Sequence, residues 1–151
     1  MEHQDALDAI RSHFVTLKPG QTSTQKHAYS MDEVVTYADQ FDISYPGVYV
    51  TENDKRLVPP AMIFMRPAAT FGITSPEAPA LARYGIYTKA HRKFFHPLEV
   101  GEKVLFDGEI VDTFERRGYY YLAVEWIAKT EMDMPIATGI EWHTIGFVRA
   151  T

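Results

Sequence analysis

The chain has 151 residues, 46% of them hydrophobic and 23% charged, which suits one globular domain of ordinary size with a core large enough to need neither disulfide nor metal. The net charge is 15 − 20 = −5, with basic residues only in short runs such as Arg92-Lys93 and Arg116-Arg117, so nucleic acid is a poor partner. The absence of cysteine excludes thiol catalysis and thiolate metal sites. The acidic start MEHQDALDAI is unlike a signal peptide and no apolar run approaches a membrane span, so a soluble cytoplasmic protein is expected.

Leu7, Ile10 and Phe14 recur at helical spacing within Gln4 to Val15, ahead of the stop Lys18-Pro19-Gly20. The polar stretch Gln21 to Tyr29 reads as a strand. Ser30-Met31-Asp32-Glu33 is a capping box, serine with glutamate three residues on, and opens a helix. Its packing stripe is expected to be Met31, Val34, Val35, Ala38 and Phe41. From Asp42 to Arg56 periodicity disappears and turn residues dominate, as in a functional loop.

Leu57 to Ile73, LVPPAMIFMRPAATFGI, reads as a helix around which the domain is organised. Pro59 and Pro60 suit a first turn, and Ala61 to Met65 is apolar on every side, the pattern of a core helix. Pro67 predicts a kink or an early end near Met65. The amides of Ala61 and Met62 are the candidates at the helix start for polarising a carbonyl. Thr74 to Arg83, with Pro76 and Pro79, is expected to cross the fold as a loop.

The remainder reads as strands. Tyr87 to His96 is followed by the turn Pro97 to Gly101. Lys103 to Phe114 places Val104, Phe106, Gly108 and Ile110 on one face. Tyr119 to Thr130 places Tyr120, Leu122, Val124, Trp126 and Ala128 together. In Ile136 to Val148 the apolar parity is Ile136, Ile140 and Trp142, which puts His143 on the outer face. Short turns between the last three strands predict an antiparallel meander. The sum is an α+β fold with a curved antiparallel sheet around a helix, and a second subunit over what remains.

Three segments resemble the MaoC-like acyl dehydratases of the hot-dog fold. Tyr37-Ala38-Asp39-Gln40-Phe41-Asp42, followed by Tyr45-Pro46-Gly47-Val48-Tyr49, is similar to the family's helix-then-overhang region. Val58-Pro59-Pro60-Ala61 resembles the opening of its central helix, and His96-Pro97-Leu98-Glu99-Val100-Gly101-Glu102-Lys103 resembles the turn into its long strands. The resemblance spans roughly residues 20 to 150 and makes residues 1–151 a single hot-dog domain.

It implies reversible hydration of an enoyl thioester, or dehydration of a 3-hydroxyacyl thioester, carried by coenzyme A or acyl carrier protein, without cofactor or metal. In active members an aspartate and a histidine share the water, roles that suit a carboxylate and an imidazole at neutral pH. Asp42 stands at the aspartate position, but Val48 and Tyr49 occupy the place of the histidine. The implied site is therefore Asp42 and Tyr49 as catalytic candidates, with Ala61, Met62, Tyr45 and His91 as substrate contacts. His91 and His96, five apart on a strand, point to opposite faces and make a poor metal chelate. The departure also resembles the silent subunits of paired dehydratases, in which one partner supplies acid and base. Three readings follow: a hydro-lyase or a subunit of one, a silent acyl-binding subunit of a heteromeric dehydratase, and a hot-dog thioesterase, with the chain expected as a homodimer or as a heterodimer with a related hot-dog subunit.

Overall fold

A computed structural model describes residues 12–41, 53–67, 71 and 85–145, with the side chains of 85–87 and 145 outside that description. After a helical turn at 12–16, the described elements run β1 (Thr22–Ala28), α1 (Met31–Gln40), α2 (Pro60–Phe64), β2 (Gly85–Phe94), β3 (Lys103–Arg116), β4 (Tyr119–Thr130) and β5 (Pro135–Ile145). The fold is α+β, with one curved five-stranded sheet in the order β1-β3-β4-β5-β2. Every pairing is antiparallel. The meander β3-β4-β5 is the one expected from its short turns. Arg117 at φ 53° with Gly118 at φ 78° closes the first turn, and Asp133 at φ 60° sits in the second. The long-range pairings, β1 on β3 and β2 on β5, place β1 and β2 at the two edges of the sheet.

The capping box of α1 forms as expected. The Ser30 hydroxyl accepts from the Glu33 amide at 3.1 Å, and the Glu33 carboxylate accepts from the Ser30 amide at 2.7 Å. The expected stripe is narrower than the sequence suggests. Val34 and Ala38 are buried, whereas Val35 is 39% exposed and Phe41 is 59% exposed at the helix end.

The central helix is shorter than Leu57 to Ile73. Leu57 lies in an isolated bridge with Glu99, helical geometry begins at Pro60, and Met65 is already the cap. The early stop follows from Pro67, whose ring is incompatible with a continued helix. Nor is the helix buried all round. Met62 and Ile63 are buried, but Ala61 faces outward and Met65 is 58% exposed. Five residues make little more than one turn, so only part of its circumference can meet the sheet.

The core lies between one face of the sheet and the helices. Ile63 and Met62 of α2 and Val34 of α1 join Val104, Phe106, Ile110, Leu122, Val124 and Trp126 of β3 and β4 in one buried cluster. Leu98, in the turn before β3, is fully buried and its carbonyl accepts from Val58 at 2.8 Å, which ties the approach to α2 to the sheet. No helix of the described residues is long and apolar enough to cross a membrane.

The parity expected for β5 does not hold. The register with β4 slips between Ala128 and Lys129, so Pro135 faces Lys129 and Ala137 faces Ala128, with Ile136 as the extra residue. Ile136 and Ala137 are both buried. Beyond the bulge, Gly139, Glu141 and His143 share the core-facing side, opposite Trp126, Val124 and Leu122, while Ile140 and Trp142 face outward. His143 is thus on the inner face rather than the outer one.

Candidate functional site

Asp42, Tyr45 and Tyr49, the overhang positions singled out from the sequence, lie outside the described residues. The other sequence candidates are placed as follows. Ala61 and Met62 occupy the first turn of α2. The Met62 amide donates to the Pro59 carbonyl at 3.0 Å and its side chain is buried, so that amide is already engaged in the turn. His91 is exposed on β2, paired in register with Ile140 on the outer face, with its ring edge-on to Trp142 at 5.9 Å. The sheet therefore separates His91 from Ala61 and Met62, which belong to the inner side.

Tyr29 follows β1 and precedes the α1 cap. Its buried hydroxyl donates to the Met62 carbonyl at 3.1 Å, fixing α2 to the sheet edge. Burial pushes its phenol well above the ordinary tyrosine range, and the nearby Arg66 guanidinium, 5.7 Å from the ring, offsets part of that. It is a hydrogen-bond donor at all physiological pH. Beside it, Glu33 accepts from His27 at 2.9 Å and lies 3.5 Å from Arg66. In the sheet His27 pairs with Val104, shares that residue's inward side and is half-buried. Burial holds its imidazole below the ordinary value, assisted by Arg66 and opposed by Glu33.

A second charged group lies deeper. On the inner face of β5 Glu141 and His143 are both fully buried, with Glu141 Oε2 at 3.4 Å from His143 Nε2. From β2, the Arg92 Nε and Nη2 atoms both approach Glu141 Oε1 at 3.0 Å. The Arg92 guanidinium also lies 5.1 Å from the centre of the Phe64 ring at the end of α2. A carboxylate buried between a guanidinium and an imidazole is compensated charge. It ties strand β2 to α2, with Glu141 and His143 buried and Arg92 reaching the surface. Sequence parity missed it because the β5 bulge reverses which residues face inward.

No family model matches the chain, and no curated protein matches it. Solved structures do. The chain is similar to the (R)-hydratase from A. caviae involved in PHA biosynthesis, with TM-score 0.63 and 18% identity, covering 85% of this chain and 96% of that one. The MaoC-like dehydratase from Rhodospirillum rubrum gives TM-score 0.60 and 11% identity, covering 91% and 97%. The HadBC (3R-hydroxyacyl-ACP dehydratase) complex from Mycobacterium tuberculosis gives 0.64 and 11%, covering 83% and 96%.

The chain has the hot-dog fold. Within that hot-dog domain, α2 is the central helix, short and half-covered, and the five strands are the sheet that curves around it. The inner face carries the two charged groups just described, one at each edge of the sheet. His27–Glu33–Arg66 stands by β1, and Arg92–Glu141–His143 joins β5 and β2.

Proposed function

We propose that this hot-dog chain is a MaoC-like acyl-thioester hydro-lyase, an enoyl-CoA or enoyl-ACP hydratase or a 3-hydroxyacyl dehydratase, or a subunit of one. The observation that carries the reading is the fold match over nearly the whole chain to hydratases and dehydratases, joined to an aspartate, Asp42, at the position such an enzyme uses to hold water. In this reading Asp42 orients the water as base and Tyr49 is the nearby donor. Tyr45 is carried as a substrate contact and the first turn of α2 supports the thioester, whereas His91, across the sheet from that turn, does not belong to the same site. Because the Met62 amide is engaged with Pro59, the carbonyl-polarising role falls on the Ala61 amide.

A second reading is favoured by one specific feature. Val48 and Tyr49 stand where the catalytic histidine is expected, which suits a silent acyl-binding subunit whose partner, a related hot-dog chain, supplies acid and base. The relative HadBC is a complex, in keeping with such an arrangement. Hydration of crotonyl-CoA by the purified chain, followed as loss of enoyl-thioester absorbance, separates the two. A rate that Asp42→Asn abolishes supports the hydro-lyase; a rate indifferent to Asp42→Asn overturns Asp42's role. No rate from the folded chain alone, restored by a second hot-dog chain carrying the histidine, supports the silent subunit. Release of free thiol from the acyl-CoA would instead indicate the thioesterase.

A further inference from the structure

Glu33 has two duties at the β1 edge of the sheet. Its Oε2 atom accepts from the Ser30 amide at 2.7 Å and so caps α1, while Oε1 alone takes both neighbouring bases. His27 Nε2, on the inner side of β1, is 2.9 Å from that oxygen, and Arg66 Nη2, just beyond the end of α2, is 3.5 Å from it. One carboxylate oxygen therefore holds a strand and a helix at once. The two bases also share the Tyr29 ring. The His27 imidazole meets it edge-on at 4.6 Å between ring centres, and the Arg66 guanidinium lies 5.7 Å from its centre. The Tyr29 hydroxyl in turn donates to the Met62 carbonyl of α2 at 3.1 Å.

The polar ties of α2 matter because the helix is five residues long, too short to be stable by itself. Its approach is tied to the turn before β3, where the Val58 amide donates to the Leu98 carbonyl. Its middle is tied to Tyr29 through Met62, and its end to α1 through Arg66. Only the last of these ties depends on charge. Among the described residues, the charged or titratable groups facing His27 are Glu33 of α1, Arg66 after α2 and the Tyr29 phenol, while β3 presents the apolar Val104. Burial and the Arg66 charge hold the His27 imidazole below its ordinary value of 6.5, so at neutral pH it is predominantly uncharged. Glu33 then has one full cation beside it, Arg66. A protonated His27 puts a second cation on the same oxygen, and at 2.9 Å it has the shorter, now charge-assisted bond. The longer Arg66 contact is the one that gives way.

We propose that His27, Glu33 and Arg66 form a pH-sensitive latch on α2, in which protonation of His27 takes the Glu33 carboxylate from Arg66 and frees the end of the central helix from α1. The start of the helix stays anchored. Burial pushes the Tyr29 phenol up, away from this range, and the Val58 amide does not titrate. What shifts is the end of α2, where Phe64 rests against Trp126 at 6.1 Å between ring centres. By linkage, whatever fixes that end in its latched position also disfavours protonation of His27. The latch belongs to the fold and is independent of the enzymatic reading.

Trp126 reports the state of the latch. The chain has two tryptophans, and Trp142 lies on the outer face with the His91 ring at 5.9 Å, so Trp142→Phe leaves one reporter, away from that histidine. In this background the emission of the full-length chain is followed from about pH 8 to about pH 5, the range in which imidazoles titrate, with circular dichroism confirming the fold at each point. A reversible change in wavelength or intensity is expected, with its midpoint below 6.5. His27→Gln keeps a donor for Glu33 but takes up no proton, and is expected to hold the neutral-pH emission throughout. Arg66→Gln has no cation to release, and is expected to show the parent's acid emission at every pH. A flat profile in the folded parent would overturn the latch, as would a change that persists in His27→Gln. Neutral-pH emission retained by Arg66→Gln would overturn it as well, by showing that Arg66 does not fix the end of α2.

Discussion

Glu141 Oε2 lies 3.4 Å from His143 Nε2 on the inner face of β5, and the opposite oxygen of the same carboxylate is 3.0 Å from the Arg92 guanidinium of β2. Glu141 and His143 have no exposure, whereas the Arg92 side chain keeps 31%. The two ends of the pair therefore differ in what their loss leaves behind. Arg92→Met takes the guanidinium away from a buried carboxylate and is expected to cost about 3 kcal/mol. Glu141→Leu leaves a guanidinium that can reach water, so it is expected to cost less. The double variant is expected to fall near the milder single one. Urea midpoints for the three variants measure this; equal losses for both single variants would show that the carboxylate has another compensating cation.

Gly139 is required by Trp126. A Cβ at 139 would stand 2.7 Å from the indole Cε2 and Cζ2 and 2.8 Å from Nε1, closer than any relaxed contact. Trp126 is itself packed at 6.1 Å from Phe64 of α2, so the ring has little room to retreat. Gly139→Ala is expected to destabilise by about 1–3 kcal/mol through overpacking and to shift tryptophan emission. An unchanged spectrum with unchanged thermal stability would mean that the ring moves freely.

Acid sensitivity is expected to come in two steps from the His27–Glu33 pair. Burial lowers the His27 pKa from 6.5, so the unfolded chain takes up its proton first on acidification. Stability contributed by neutral His27 is present above 6.5 and is lost as pH falls from there through the lowered folded value. For Glu33, burial pushes upward, but the Ser30 amide and His27 outweigh it, and the net shift is down from 4.5. Its contribution is lost as pH falls below 4.5 through the folded value. Melting temperature against pH is expected to decline in both windows, and His27→Gln is expected to remove the upper one. A profile for His27→Gln that still declines between 6.5 and 4.5 would assign that window to another group.

Much of the secondary structure was written in local chemistry. Ser30 and Glu33 are three apart, and their reciprocal bonds form regardless of what surrounds the helix. Even positions 104 to 110 are inward because a half-buried strand alternates. The Pro67 stop on α2 was legible for the same local reason. The burial of α2 was not. Apolar residues on every side suggested a helix enclosed in the core, yet Ala61 and Met65 are exposed, since enclosure depends on what the rest of the chain brings against them.

The candidate site divides in the same way. Sequence alone determined the α+β meander and the central helix start at Pro59-Pro60, because these rest on neighbours in the chain. Tertiary structure decided which histidines face the core. One extra residue at the β5 bulge reverses every side chain beyond it, and so brings His143 and Glu141 inward to meet Arg92 from a strand some fifty positions earlier. A period-two pattern has no means of recording where a register slips, because the slip is set by the pairing with β4 rather than by the residues of β5 themselves.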